Sequence, residues 1–280
     1  MLWGRTLAFV CAIASATAGS GCFLSAPSRE VNRTAEFRKS ESVHAPGRIL
    51  LHTRLIEQPL GDEYLTREVW TQTANPLPHD TSTLLSMNGF RVGVISGVIP
   101  GDLERLATSE PAVVNASLRA FLADQPKPIP VNASTEPLAM RITRAVGDEP
   151  QVLDLPNAEC ALIVTATPTL DGRVNLRCEP RVQHGSKQPH WAPSADGTGF
   201  ERLDQRPSEQ FPTLVWDLTI DRHEVLLIGS IEDDNKNTLG QNFFEIHDPS
   251  RLKQRLLAIQ ADFTAGSSGV TSGVPGALVR

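Results

Sequence analysis

The clearest structural signal in the chain lies in residues 159–182, ECALIVTATPTL-DG-RVNLRCEPRV. Two stretches rich in β-branched and other apolar residues flank Asp171-Gly172, a dipeptide that favours the two-residue type I′ turn of a β-hairpin. With such a turn Leu170 faces Arg173, and the pairing of the other residues follows from that pair. The segment therefore predicts a long antiparallel hairpin.

The register of this hairpin places its two cysteines apart. Cys178 lies opposite Thr165 and Cys160 lies opposite Gln183, so the register argues against a disulfide bond between them unless a bulge or another turn intervenes. Two cysteines can form a disulfide in an oxidising compartment, but the register favours two small, buried hydrophobic side chains. The same register predicts one face with Ile163, Thr165, Thr167, Val174, Leu176 and Val182, and another that pairs Leu162, Val164 and Leu170 with Arg173, Arg177 and Arg181.

Three further elements are predicted on the C-terminal side of the hairpin. Residues 183–208 are polar and indicate a long loop, and a loop of this length is usually either disordered or functional. A second hairpin follows, in which residues 214–220 pair with 224–228 across the turn Asp221-Arg222-His223. A helix is predicted over residues 249–263, where the apolar residues at helical spacing are Leu252, Leu256, Ile259 and Phe263.

The N-terminal side of the hairpin has a different pattern. Residues 48–108 alternate between short apolar strands and helical stretches, which end at Pro or Gly signals such as Asn88-Gly89. Residues 111–157 are rich in proline and indicate a connecting region with strands near 138–146 and 151–155. Within 48–108 the predicted elements are a strand at 49–56, helices at 62–70 and 80–87, a strand at 90–96 and a helix at 101–107.

Together these segments predict an α+β, β-rich fold. A small N-terminal β-α-α-β-α module precedes an antiparallel, hairpin-built β-domain with a C-terminal helix. The predicted organisation is a signal peptide at 1–22, a tether at 23–46, the α+β module at 47–110, the connecting region at 111–157, the β-domain at 158–263 and a disordered tail at 264–280.

The first 22 residues have the three parts of a bacterial signal peptide. Arg5 provides the positive start, and the 12 residues of 7–18 form an apolar segment that is too short to span a bilayer. Two processing sites compete: Ala16-Thr17-Ala18 fits ordinary signal peptidase, and Gly19-Ser20-Gly21-Cys22 resembles the lipobox of bacterial lipoproteins. The resemblance implies a lipid on the thiol of Cys22. We therefore expect a protein of the cell envelope, anchored on the periplasmic side of a membrane, with a secreted or periplasmic protein as the alternative.

Composition and motifs argue against several classes of function. A net charge of −6 without a dense run of Lys or Arg does not fit a nucleic-acid binder. The chain has no G-x-S-x-G, HExxH or CxxC motif and no glycine-rich phosphate loop, so we expect neither a cofactor nor catalytic residues. The alternative is a hydrolase or metal-dependent enzyme that uses the 183–208 loop, with Cys178, His184 and His190 as metal ligands.

Three segments resemble, in the same order, the secretin family of outer-membrane channels in bacterial secretion systems. Residues 164–168 and 171–180 are similar to the secretin pattern V-T-P…G-x-V-x-L-x-I-x-P. Residues 225–229 resemble the strand before that family's Gly-Gly-Leu, and residues 239–244 resemble its later Leu-Gly…Leu-Phe segment. The likeness covers about 85 residues, and Ser230 stands where the family has its second Gly.

The resemblance implies a β-domain that assembles by pairing strands between copies. Together with the leader, it leads us to expect a non-enzymatic cell-envelope lipoprotein that serves as an assembly or scaffold module. Its expected partners are the membrane, reached through the lipid anchor, and other copies of the chain or other envelope proteins.

Overall fold

The computed structural model describes residues 48–194, 197–232, 237–248 and 251–263. The predicted signal peptide with Cys22, the tether and the tail lie outside these residues. The strands are β1 (Arg48–Pro59), β2 (Phe90–Ser96), β3 (Val113–Leu122), β4 (Lys127–Ala133), β5 (Leu138–Ile142), β6 (Gln151–Leu155), β7 (Glu159–Pro168), β8 (Val174–Gln183), β9 (Gln188–Pro193), β10 (Phe200–Gln205), β11 (Ser208–Gln210), β12 (Trp216–Ile220), β13 (Glu224–Ser230), β14 (Glu245–Asp248) and β15 (Arg251–Phe263). The helices are α1 (Val69–Thr71), which continues a π-helical turn at Tyr64–Glu68, α2 (His79–Met87), α3 (Gly101–Thr108) and α4 (Leu239–Phe244), with a 3-10 turn at Pro212–Leu214.

The largest sheet combines strands from both ends of the described chain. Its order is β2-β13-β15-β1-β3, with β14 beside β15, and neighbouring strands are antiparallel. β1 pairs with β15 over almost its whole length, from Ile49 opposite Phe263 to Pro59 opposite Lys253. The two strands predicted within 47–110 are therefore separated by C-terminal strands. The boundaries predicted around 110 and 158 do not divide this sheet, so a separate N-terminal module is wrong.

The central strands of this sheet, β13, β15 and β1, are buried on both faces. Along β13, Val225 and Leu227 pack with residues of α1 and α3, whereas Leu226 and Ile228 belong to the core that lies toward a second sheet. β15 alternates in the same way, so its residues 256–259 are all buried. The helix predicted over 249–263 is wrong for this reason: a strand with two buried faces is continuously apolar, and such a run also satisfies helical spacing.

The hairpin of residues 159–182 forms the centre of the second sheet, whose order is β11-β8-β7-β4 with β12 also on β8. The predicted hairpin is confirmed, but its register is wrong by one residue. Val164 faces Cys178, and Cys160 faces Val182. The cause is the turn, because Gly172 has a φ of +81° and Asp171 does not have a positive φ, whereas a type I′ turn needs both.

The register difference changes which side chains share a face. The N–H of Gly172 donates to the carbonyl of Thr169, which makes a three-residue loop in place of the two-residue one. Shifting one strand by one residue moves its whole apolar set to the other side of the sheet. The buried face consequently contains Cys160, Leu162, Val164 and Ala166 with Val174, Leu176, Cys178 and Val182.

The second predicted hairpin is also wrong, although both of its strands exist. β12 pairs with β8 in the second sheet, while β13 pairs with β2 and β15 in the largest one. The turn at 221–223 thus carries the chain from one sheet to the other. Local alternation predicts a strand but does not determine its partner, and the short connection favoured the neighbouring strand.

The predicted fold class is confirmed in coarse terms. The described chain is β-rich with antiparallel sheets and a few short helices. The strands expected in 138–146 and 151–155 are β5 and β6, which pair with each other. β3 and β4 were not predicted, because the prolines of 111–157 suggested a connection. Trp216 and Trp70 are both buried in the core.

Candidate functional site

The predicted polar loop at 183–208 contains a hairpin that stands apart from both main sheets. β9 and β10 pair only with each other, with Phe200 opposite Pro193 and Arg202 opposite Trp191. No side chain in either strand is buried. We call these two strands the arm.

One face of the arm carries two large aromatic side chains in contact with solvent. Trp191 is 63% exposed and Phe200 is 72% exposed. Residues directly opposite each other in an antiparallel pair point to the same side of the sheet, so Phe200 shares a face with Pro193. Trp191 lies two residues before Pro193 on the same strand and therefore points to that side as well. The residues of this aromatic face are Pro189, Trp191, Pro193, Phe200, Arg202 and Asp204.

Such a face is unusual for a free-standing element. An isolated two-stranded ribbon is at best marginally stable in water, and contiguous exposed apolar groups commonly mark interaction sites. Most of the surface of both aromatic side chains lies in solvent. The arm is therefore available for contact with another molecule.

The root of the arm is attached firmly to the second sheet through Arg206. Its Nε donates to the carbonyl oxygen of Gly185 at 3.0 Å, which joins the two ends of the arm. The same guanidinium donates to the carbonyl of Asn157 and pairs with the carboxylate of Glu159. The Arg206 side chain is only 15% exposed. The arm is consequently a projecting element on a fixed base.

The residues predicted as an alternative metal site are not brought together. Cys178 lies in the core, and His184 follows the end of the same strand, so their Cα atoms are about 20 Å apart at the usual rise of an extended chain. His190 belongs to the arm, and Nε2 of His184 lies 3.5 Å from a carboxylate oxygen of Glu209. Within the described residues, no cluster of three or more His, Cys, Asp or Glu side chains is placed to hold a metal ion.

The two cysteines of the hairpin are free and buried. Burial raises the pKa of the Cys160 thiol to about 12. Burial also raises the pKa of the Cys178 thiol, with a smaller contribution from the charge of Asp217. Because the thiolate is the reactive form, neither side chain is suited to nucleophilic chemistry.

A cleft of about 700 Å³ lies next to the root of the arm. Pro128 and Pro130 from the edge strand β4 and Ile163 from β7 give it apolar walls. Glu159 and Gln183, which adjoin the arm root, form part of its lining. Prolines are typical of edge strands, because they lack the N–H group that a further strand would need. The cleft thus adjoins the root of the arm.

Two arginines reach the cleft, and each is held by a carboxylate. Nε of Arg255 donates to Oε2 of Glu57 at 3.0 Å, and Lys253 pairs with the same carboxylate. Burial raises the pKa of Glu57, but hydrogen bonds from Lys253 and Arg255, and their charges, outweigh it and leave the pKa below its ordinary value. Nη2 of Arg181 lies 2.7 Å from Glu179. The cleft therefore combines apolar walls with positioned guanidinium groups.

The sequence contained a partial signal for this site. The 183–208 segment was recognised as long enough to be functional, but its two strands were missed because neither shows a clear apolar alternation. Trp191 and Phe200 in an otherwise polar stretch were the available cue. The cleft had no comparable signal, since its walls come from strands far apart in the chain.

Comparisons with protein-family models, curated proteins and solved structures found no match to this chain. Among the described residues, no helix combines the length and the hydrophobicity that crossing a membrane requires. The function is therefore argued from the leader sequence and from the geometry of the arm and the cleft.

Proposed function

We propose that this chain is a non-enzymatic assembly module of the bacterial cell envelope, which docks to a partner protein through the aromatic face of the arm. The observation that carries the proposal is the exposure of Trp191 and Phe200 on one face of an anchored hairpin. Aromatic residues dominate the energetic centres of protein interfaces.

Burial of the two aromatic side chains supplies part of the free energy of binding. Complete burial of a large apolar side chain contributes about 1.5–3 kcal/mol, so burying the exposed parts of the two aromatics contributes about 2–4 kcal/mol. The firm root adds to this, because a preformed hairpin loses less conformational entropy on binding than a flexible loop.

The leader supports a location in the envelope. A signal peptide followed by Ser20-Gly21-Cys22 favours acylation of the Cys22 thiol and a lipid anchor on the periplasmic side of a membrane. Incorporation of a labelled fatty acid should therefore occur in the wild-type chain and be lost in Cys22→Ala. Labelling of both chains would contradict this assignment.

The secretin-like motifs are a further support, since secretins assemble into multimers of β-structure. Relatedness to that family is part of the proposal and depends on residues 164–180, 225–229 and 239–244.

Blue-native electrophoresis of mild-detergent extracts tests the role of the arm. The wild-type chain should migrate in a complex, and Trp191→Ala/Phe200→Ala should shift it to the monomer position. Leu170→Ala is the matched control, because Leu170 is fully exposed at the tip of a different hairpin and should leave the complex intact. A complex that is unchanged in the arm variant, or a wild-type chain that is strictly monomeric, would exclude the proposed function.

A further inference from the structure

We propose that the edge strand β3 is a second interaction surface, and that its partner is the β3 strand of another copy of this chain. The two strands pair antiparallel about a twofold axis at Leu118 and join the largest sheets of the two copies into one. This inference goes beyond the proposed function, because it concerns a surface other than the arm.

The outer side of β3 has free backbone groups. β3 ends the largest sheet, and no other strand of the described residues lies along its outer side. The carbonyls of Ala120 and Leu122 point to that side, because both accept hydrogen bonds from the chain segment that follows β3. Alternate residues of an antiparallel strand direct their N–H and C=O groups to the same side. Ala116 and Leu118 therefore also present these groups outward, and both residues are exposed.

Two other edge strands carry features that disfavour the addition of a strand, and β3 lacks them. On β2, Ala74 and Val94 exchange two backbone hydrogen bonds of 2.9 Å. On β4, Pro128 and Pro130 lack the N–H group that pairing needs. β3 has ten residues, no proline and a single charged side chain, that of Arg119. Long edge strands of this kind are ready templates for pairing with another strand.

The side chains along the free edge are apolar and exposed. Leu118 is 51% exposed and Leu122 is 47% exposed, and the small side chains of Ala116 and Ala120 lie on the same face of the strand. Nζ of Lys127 donates to the carbonyl of Ala120, which leaves this oxygen its second lone pair. Pairing with a further strand therefore buries apolar surface and satisfies backbone groups that now contact water.

The sequence of β3 matches itself in one register. With Leu118 opposite Leu118 of the other copy, Ala116 faces Ala120 and Arg119 faces the uncharged Ser117. An axis at Arg119 places two guanidinium groups opposite each other, and like charges at such positions are destabilising. An axis at Ser117 pairs Leu118 with Ala116 and separates the two leucines. This self-matching pattern selects a second copy as the partner, in the twofold symmetry that is commonest among protein oligomers.

The contact is small for a protein interface. Residues 114–122 of each strand overlap in this register, whereas stable interfaces involve about 20–30 residues on each side. We therefore expect a dimer that forms at high protein concentration and dissociates during electrophoresis, so that blue-native gels report on the arm alone. Anchoring of the chains in one membrane, as proposed for Cys22, raises the effective concentration that such a contact needs.

Cysteine cross-linking between chains tests the pairing and its register. Full-length chains carrying Cys11→Ser and Cys22→Ser provide the background, because the cysteines that remain are buried. Leu118→Cys places two thiols at the axis, where the Cα atoms of a hydrogen-bonded pair lie about 5.5 Å apart, a distance that a disulfide spans. Ala116→Cys is the matched control on the same strand, because its two copies lie about 14 Å apart in this register.

Under mild oxidation, Leu118→Cys chains should form the disulfide-linked dimer about tenfold faster than Ala116→Cys chains. A mixture of Ala116→Cys and Ala120→Cys chains with different tags should also cross-link, because these positions face each other. Leu170→Cys controls for random collision, since Leu170 is fully exposed on another hairpin. Equal rates for Leu118→Cys and Ala116→Cys, or the fastest cross-linking for Leu170→Cys, would overturn the inference.

Analytical ultracentrifugation detects the dimer without a cross-link. The sedimentation coefficient of the Cys22→Ser chain should rise with protein concentration, and Leu118→Lys should abolish the rise by placing two ammonium groups opposite each other. Leu170→Lys is the control and should retain the rise. Trp191→Ala/Phe200→Ala should retain it as well, which separates this contact from the docking role of the arm. A parent chain without the rise, or a rise that Leu118→Lys leaves unchanged, would overturn the inference.

Discussion

Arg206→Ala should release the arm from the body while leaving both main sheets folded. The side chain is 15% exposed and donates to the carbonyls of Gly185 and Asn157, in addition to its ion pair with Glu159. A hydrogen bond from a charged donor contributes about 1.5–3 kcal/mol, whereas an ion pair with a half-exposed carboxylate contributes about 0–1 kcal/mol. Because the carbonyls regain water when the arm opens, we expect a net local loss of about 2–3 kcal/mol.

Hydrogen exchange followed by mass spectrometry measures this loss directly. A change of 2–3 kcal/mol corresponds to about 30- to 150-fold faster exchange of the protected amides in β9 and β10. Amides of β13 and β15 should exchange at the wild-type rate, which makes them an internal control. Arg206→Lys retains the charge but not the forked geometry and should have an intermediate effect. If exchange in the arm is unchanged in Arg206→Ala, the root does not hold the arm and the reasoning fails.

Three further outcomes follow from the core. Gly240→Ala should destabilise the fold by about 2–4 kcal/mol in urea denaturation, since the added Cβ would lie 2.2 Å from a backbone carbonyl oxygen. Gly101→Ala is the control, because a Cβ there meets no neighbour and should leave the stability unchanged. Equal urea midpoints for the two variants would contradict the close packing at Gly240. Cys160 and Cys178 should react with a thiol reagent only on unfolding, because burial raises the pKa of both thiols. Rapid labelling of these cysteines in the native chain would refute their burial. Glu57 has a lowered pKa in the folded state, so its stabilising contribution is present above its unfolded pKa of about 4.3 and is lost as the pH falls through the folded pKa. Glu57→Gln should therefore reduce the loss of stability at acid pH. Identical curves of stability against pH for the wild type and the variant would argue against the ion pairs of Glu57 with Lys253 and Arg255.

Local patterns predicted the existence of elements better than their partners. The hairpin of 159–182 was evident from its own residues, because both strands and the turn are adjacent in sequence. The register of this hairpin was not evident from the sequence, since Asp171-Gly172 is compatible with both a two-residue and a three-residue loop. The difference depends on the φ of a single residue, yet it reverses the face on which Leu162 and Val164 lie.

The largest sheet could not have been inferred from local patterns. The pairing of β1 with β15 joins segments about 200 residues apart, and no short-range signal specifies it. β15 was mistaken for a helix because its environment is apolar on both sides, so the alternation that marks an ordinary strand is absent.

The candidate site was partly predictable. Length and polarity identified 183–208 as a segment with a role of its own, but two exposed aromatics in one stretch do not show whether they share a face. That depends on the pairing of Trp191 with Arg202 and of Phe200 with Pro193, which emerges only in three dimensions. The alternative metal site shows the opposite error, in which closeness in sequence was taken for closeness in space. The extended strand β8 separates Cys178 from His184, and His190 lies on the arm.

Hydroxyl-radical footprinting of the native complex tests the docking role of the arm most directly. Oxidation of Trp191 and Phe200 should be at least fivefold slower in the complex than in the dissociated chain, because docking removes both rings from water. Leu170 and Val98, which are exposed and remote from the arm, should be oxidised equally in the two states. Equal oxidation of Trp191 and Phe200 in the complex and in the dissociated chain would contradict an assembly role for the arm.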